Sequence, residues 1–239
     1  TDPDGDTLSY SLSGTDAALF TIDSGTGVVT FRTAPDFENP ADADGDNVYE
    51  LTVTASDGTT ATDQTVQVTV TNGNDNAPVI TSAASASVSE NQTAALDVDA
   101  TDPDGDALTY SLSGTDAALF SIDAATGVVT FRTAPDFENP ADADGDNVYE
   151  LTVTASDGTT ATDQTVQVTV TNGNDNAPVI TSAASASVAE NQSAALDVDA
   201  TDPDGDTLSY SLSGTDAALF TIDSGTGVVT FRTAPDFEN

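Results

Sequence analysis

Tyr149-Glu150-Leu151-Thr152-Val153-Thr154-Ala155-Ser156 decides the fold. Every second residue is apolar and its neighbours are polar, the two-residue period of a strand with one face in a core. Asp157-Gly158 follows as a turn, and beyond it Val166, Val168 and Val170 alternate with Gln167 and Thr169. Upstream, Leu96, Val98 and Ala100 alternate with Asp97 and Asp99. Further short strands are expected at 108–112, 119–122, 128–131 and, opening the next unit, 179–181, with Gly105-Asp106 and Thr126-Gly127 as turns between them. About seven short, turn-bounded strands per 100 residues, with no window of helical period, predict an all-β Greek-key β-sandwich.

The same pattern recurs along the chain. Thr1-Asp2-Pro3-Asp4-Gly5-Asp6 returns at 101–106 and 201–206, a period of 100 residues. Residues 1–100 and 101–200 differ only at positions 7, 9, 21, 24, 25, 89 and 93, and 201–239 repeat 1–39 without change. That period is far too long for a solenoid unit of about 20–50 residues, so each repeat is expected to be a whole domain. Asn72-Gly73-Asn74-Asp75-Asn76-Ala77-Pro78 and its copy at 172–178 are the expected boundaries. They delimit a complete repeat at 77–176, a partial one at 1–76 lacking its first strands, and a partial one at 177–239 lacking its last. The expected architecture is a linear array of seven-stranded sandwiches, seen here as a window on a longer array.

The charge balance narrows function. The 239 residues hold 41 Asp and Glu against three Arg and no Lys, a net charge of −38. Such a surface repels nucleic-acid phosphate and anionic lipid alike, and no apolar run is long enough to span a bilayer. There is no His, Cys, Met or Trp, which removes disulfides, thiolate or imidazole zinc sites, Cys nucleophiles and every Ser-His arrangement. A metal held by this chain would be hard and bound through oxygen, calcium before magnesium. Residues 101–200 carry 17 acids, one base (Arg132) and only 20 Leu, Ile, Val and Phe, so self-repulsion weighs against a modest core and bound cations are the natural remedy.

The acids gather in Asp102-Pro103-Asp104-Gly105-Asp106, Asp136-Phe137-Glu138, Asp142-Ala143-Asp144-Gly145-Asp146 and Asn174-Asp175-Asn176, with Glu90 and Asp157 apart. Loops of a sandwich collect at its two ends, so separate clusters can converge on one pole. A plain solubilising surface is the bland alternative, and the 142–146 loop fits either reading. Asp136 and Glu138 could form a glycosidase acid–base pair, but an identical copy in each repeat and the lack of a pocket-forming insertion argue against an enzyme. Arg32, Arg132 and Arg232 are expected to pair with nearby surface acids, and Tyr49 and Tyr149 to sit in the core.

Asn74-Asp75-Asn76-Ala77-Pro78 resembles the linker of cadherin repeats, closest to the cadherin-like repeats of large bacterial surface adhesins. Val88-Ser89-Glu90-Asn91 is similar to that family's early glutamate motif, Ala100-Thr101-Asp102-Pro103-Asp104 to its Asp-x-Asp motif, Asp136-Phe137-Glu138 to its Asp-x-Glu motif, and Ala155-Ser156-Asp157-Gly158 to its late aspartate motif. The five motifs stand in the family's order across the chain. Two positions depart from the pattern: Phe137 stands where Arg is usual, and Asn72 and Asn172 replace a leading Asp. The resemblance implies calcium clamped between consecutive domains. At the first junction the implied ligands are Asp36, Glu38, Asn74, Asp75, Asn76, Asp102, Asp104 and Asp157. At the second they are Glu90, Asp136, Glu138, Asn174, Asp175, Asn176, Asp202 and Asp204.

The function this implies is a calcium-rigidified structural spacer in a long extracellular adhesin or filament at the cell surface, without catalysis. The alternative is an adhesive module, homophilic or carbohydrate-binding. The expected partners are neighbouring repeats of the same chain, with other copies of the filament and glycans as further candidates, and neither nucleic acid nor membrane. Asn91-Gln92-Thr93 and Asn191-Gln192-Ser193 match the N-glycosylation triplet, which also arises often by chance.

Overall fold

A computed structural model describes residues 2–238. Between 79 and 171 the strands form two facing layers. One sheet runs Thr109–Ser113, Val148–Ser156, Ala161–Thr171 and Ser85–Ser89 in spatial order, antiparallel except for the last, parallel pair. The other runs Phe120–Ile122, Val128–Phe131 and Ala94–Asp97, with the short pair Val79–Ile80 and Ala100–Thr101 as a separate ladder. Taking 79–89 and 94–101 as two interrupted strands gives seven strands in Greek-key order, the predicted β-sandwich. Among the described residues, helix is confined to three-residue 3-10 turns such as Ala117–Leu119, and no helix is long and apolar enough to cross a membrane.

Alternation becomes packing in the Val148–Ser156 strand. Tyr149, Leu151, Val153 and Ala155 are all buried and the residues between them are not. Tyr149 lies opposite Val168 and Leu151 opposite Val166, so two strands present one continuous apolar face. Phe120 and Phe131 of the facing sheet lie 4.3 Å apart between ring centres, and both meet Tyr149 edge-on at 5.7 and 5.2 Å. Each such ring contributes about 1.5–3 kcal/mol by burial, and an edge-on pair about 0.5–1.5 kcal/mol more.

Three strand expectations needed correction. The Ser85–Ser89 strand was not foreseen, because its parallel partner lies some 80 residues away in sequence. The run from Leu96 to Ala100 does not alternate cleanly: the register shifts opposite Val129 and Thr130, and Ala95 and Val98 are buried rather than Leu96 and Val98. Such a bulge bends the strand and turns its side chains over. Leu119 belongs to the 3-10 turn rather than to the strand that follows it.

Identical sequence packs differently in the first set of strands. Leu51 and Tyr49 are buried as in the later copy, but Val53, Ala55, Val66 and Phe31 are only half-buried. Their counterparts in the later copy pack against residues of strands 79–101.

Candidate metal centres

Segment 72–78 joins the Ala61–Thr69 strand to Val79–Ile80 and is tied to the 102–106 loop through one side chain. Asp104 accepts the backbone N–H groups of Asp75 and Asn76 on Oδ2, at 3.0 and 2.8 Å, and the Asn76 amide on Oδ1 at 2.9 Å. Asp102 shapes the loop by accepting from the N–H groups of Asp104 and Asp106 at 3.0 and 3.2 Å. From the other side of the segment, Glu38 reaches the same spot, its Oε2 lying 3.3 Å from the Asn76 amide nitrogen. Carboxylate oxygens of Glu38, Asp75 and Asp104 lie within 4.8 Å of one another. Oxygens on opposite sides of a single calcium stand about 4.6–5.2 Å apart, so one cation can be shared by all three. Asp36 supports the arrangement indirectly, accepting from the N–H groups of Glu38 and Asn39 at 3.1 and 3.2 Å. Asp157 meets Asn74 through its carbonyl at 3.4 Å, while its carboxylate caps Thr159 and Thr160.

The second junction repeats this. Asp204 accepts from Asp175 N, Asn176 N and the Asn176 amide at 3.1, 2.8 and 2.9 Å, and that amide also reaches Glu138 Oε2 at 3.1 Å. Asp202 holds its loop as Asp102 does, through Asp204 N at 3.0 Å. Asp136 accepts from Glu138 N at 3.2 Å, and Asn174 lines the same hollow as Asn176 and Asp202. Glu90, at the second junction, is 5% exposed. It accepts from Gly173 N and Phe137 N at 2.6 and 2.9 Å and lies within 4.8 Å of Glu138 and Asp175.

The donor chemistry suits calcium. Asn74 Oδ1, Asp102 Oδ2 and Glu138 Oε1 are buried without any hydrogen-bond donor. A buried acceptor left in that condition costs about 1–3 kcal/mol, more when charged, and a hard cation satisfies it directly. Arg32, expected to pair with a nearby acid, donates its Nε to the Ala18 carbonyl at 3.0 Å.

Two features escaped sequence reading. Asn72 and Asn172 donate their amides to the carbonyls of Asp104 and Asp204 at 2.7 Å. A carboxylate there could only accept, so the departure from the family pattern exchanges a charge for a donor. Asn91, first residue of a glycosylation triplet, donates its amide to Asp175 and so joins the second junction.

The carboxylates shift in opposite senses. Loss of hydration, reinforced by the charges of Asp104 and Asp75, raises the Glu38 carboxyl above the ordinary 4.5. Loss of hydration, then the charges of Glu90, Asp204 and Asp175, raises Glu138 likewise. Hydrogen bonds from Asn76 and Asn176 hold Asp104 and Asp204 below the ordinary 3.8. A proton therefore settles on the glutamates first. In chelator, the ionised glutamates oppose folding, so their effect is relieved as pH falls through their raised values toward 4.5. In calcium the same proton competes with the ion. Calcium titrations at neutral pH and just above 4.5 should show affinity falling with acidification; an unchanged affinity would exclude Glu38 and Glu138 as ligands.

A tandem all-β array with oxygen-lined junctions is the class of protein that fold and site define. Residues 84–171 match the Cadherin domain family, and residues 174–239 match a Bacterial Ig domain family. Chitinase A of Pseudoalteromonas piscicida is 34% identical over 173 residues, 72% of this chain and 19% of that protein. Protocadherin Fat 4 of Homo sapiens is 32% identical over 248 residues, 96% of this chain and 5% of that protein. The chain thus spans a fifth or less of these curated relatives. Mouse cadherin-23 EC22-24 superposes with a TM-score of 0.74 at 27% identity, over 100% of this chain and 80% of that one. Protocadherin gammaB7 EC3-6, solved as a cis-dimer, gives 0.71 at 27% identity, over 97% of this chain and 60% of that one. The chain is built of tandem cadherin-like extracellular repeats.

Proposed function

We propose that these repeats are a calcium-stiffened spacer of a long extracellular protein, divided at 76/77 and 176/177. The observation that carries this reading is the shared grip on Asn76: Asp104 from one side of segment 72–78 and Glu38 from the other meet on one amide. Calcium there would be held by Glu38, Asp75 and Asp104, with Asn74, Asn76, Asp102 and Asp157 supplying further oxygens and Asp36 positioning Glu38. At the second junction Glu90, Glu138, Asp175 and Asp204 would hold it, with Asn174, Asn176 and Asp202 beside them and Asp136 positioning Glu138. The bound ion supplies positive charge that turns mutual repulsion into a fixed orientation. Without it the carboxylates separate and segment 72–78 becomes a hinge.

Copying nearly the whole repeat fits a part whose task is length, and no catalysis is assigned to it. The match to a chitinase supports the second reading, a module that binds carbohydrate. Small-angle scattering separates stiffening from solubilising charge: particle length should contract and broaden when chelator replaces calcium. An unchanged profile would remove the clamp. A glycan array then tests the alternative, since a pure spacer binds none of its sugars.

A further inference from the structure

A second acidic constellation lies outside the junctions. Asp142-Ala143-Asp144-Gly145-Asp146-Asn147 spaces three carboxylates at alternate positions, and one oxygen of each lies within 4.8 Å of the others. The copy at 42–47 does the same. That spacing matches the first half of a helix–loop–helix calcium loop, whose positions one, three and five are ligands and whose sixth residue must turn sharply. Asn147 occupies the sixth position with φ 64, and Glu150 falls at the ninth.

Acidic spacing alone would describe a solvated loop as well. The independent observation is burial without partners. Asp42 is 7% exposed, and its Oδ1 is buried with no donor, whereas the Oδ1 of the equally buried Asp142 accepts from Asn147 N at 3.3 Å. An anionic oxygen removed from water and offered no proton is disfavoured unless a cation meets it. No arginine occurs in either loop, and Arg32 is engaged elsewhere.

The loop is also held in place from below. Asp116, 3% exposed, accepts from Ala143 N at 3.0 Å and Glu150 N at 2.8 Å, fixing both ends of the loop to the turn before Phe120. Asp142 Oδ2 accepts from Asp146 N at 2.9 Å, leaving Asp144 and the outer oxygen of Asp146 facing solvent.

We propose that Asp42, Asp44 and Asp46 form a calcium site internal to the repeat, separate from the junctions, and that Asp142, Asp144 and Asp146 form its copy. No residue is shared with either junction set. The ion neutralises a loop that opens the long central strand, so it would act on the stability of one repeat rather than on the angle between two.

Equilibrium dialysis of the 239-residue chain against saturating calcium tests this by stoichiometry. Asp144→Asn with Asp146→Asn changes exposed groups only, and an Asn at 146 can still accept from Val148 N. This variant should bind one ion fewer than wild type, and adding Asp44→Asn with Asp46→Asn should remove one more. The calcium-dependent change in scattering length should persist in both. A wild-type count in a variant that melts normally in chelator would overturn the site. Loss of more than one ion per altered loop would overturn its independence. Asp104→Ala, run alongside, reports on the junctions separately.

Discussion

Asp104→Ala should melt well below wild type in millimolar calcium, with a far smaller gap in chelator. Asp104 ties the linker to Glu38 at the first junction: it accepts two backbone N–H groups of the linker and the amide shared with Glu38. A ligand at a hundred times its Kd stabilises the folded form by about 2.7 kcal/mol. For a domain of this size, about 1 kcal/mol moves Tm by roughly 4–8 °C, so losing most of that binding would shift it by roughly 10–20 °C. In chelator two effects oppose each other. The variant loses hydrogen bonds to Asp75 and Asn76, but it also loses a charge beside Glu38 and Asp75. Calorimetry under both conditions measures the difference. Equal gaps in calcium and chelator would mean that Asp104 only organises the linker and holds no ion.

Gly127→Ala should disrupt the repeat outright. Gly127 has φ 80, where an L side chain is strained, and an added Cβ would sit 2.2 Å from the Val98 carbonyl oxygen. That oxygen belongs to backbone, beside the bulge of the 94–101 strand, so it cannot swing aside. Strain and clash together are expected to exceed about 4 kcal/mol, within the range that marks severe substitutions. The first copy provides the control. Gly27 has nearly the same φ of 75, but its Cβ would meet only the ring of Tyr10, at 3.2 Å. Gly27→Ala should cost little more than the left-handed penalty of about 1–2 kcal/mol, because the Tyr10 ring need give way only slightly. Amide hydrogen exchange reads each repeat separately: Gly127→Ala should deprotect 148–156 and 161–171, and Gly27→Ala should leave 48–56 close to wild type. Equal effects at the two positions would mean that the Val98 contact does not decide the cost.

Sequence alone determined what depends on local period and on repetition. Strand phase is a property of adjacent residues, so Tyr149, Leu151, Val153 and Ala155 could be assigned to the core before any partner was known. Identity across 100 residues fixed the tandem organisation. Absence of His and Cys restricted any metal site to oxygen. Tertiary structure decided whatever rests on pairing between distant segments. Ser85–Ser89 is short and built of Ser, Ala and Val, with too weak an apolar contrast to announce itself, and only its parallel partner at 167–171 makes it a strand. The bulge at Ala95, which reverses side-chain faces, exists only in its pairing with Val129 and Thr130, more than thirty residues away. Asn72 reads as a lost charge in sequence, yet it is a donor because the Asp104 carbonyl lies 2.7 Å from its amide. Which acids act together is likewise a matter of distance: the Asp-x-Asp spacing is the same at 102–106 and 142–146, but one loop faces the linker and the other is bracketed by Asp116 within its own sandwich.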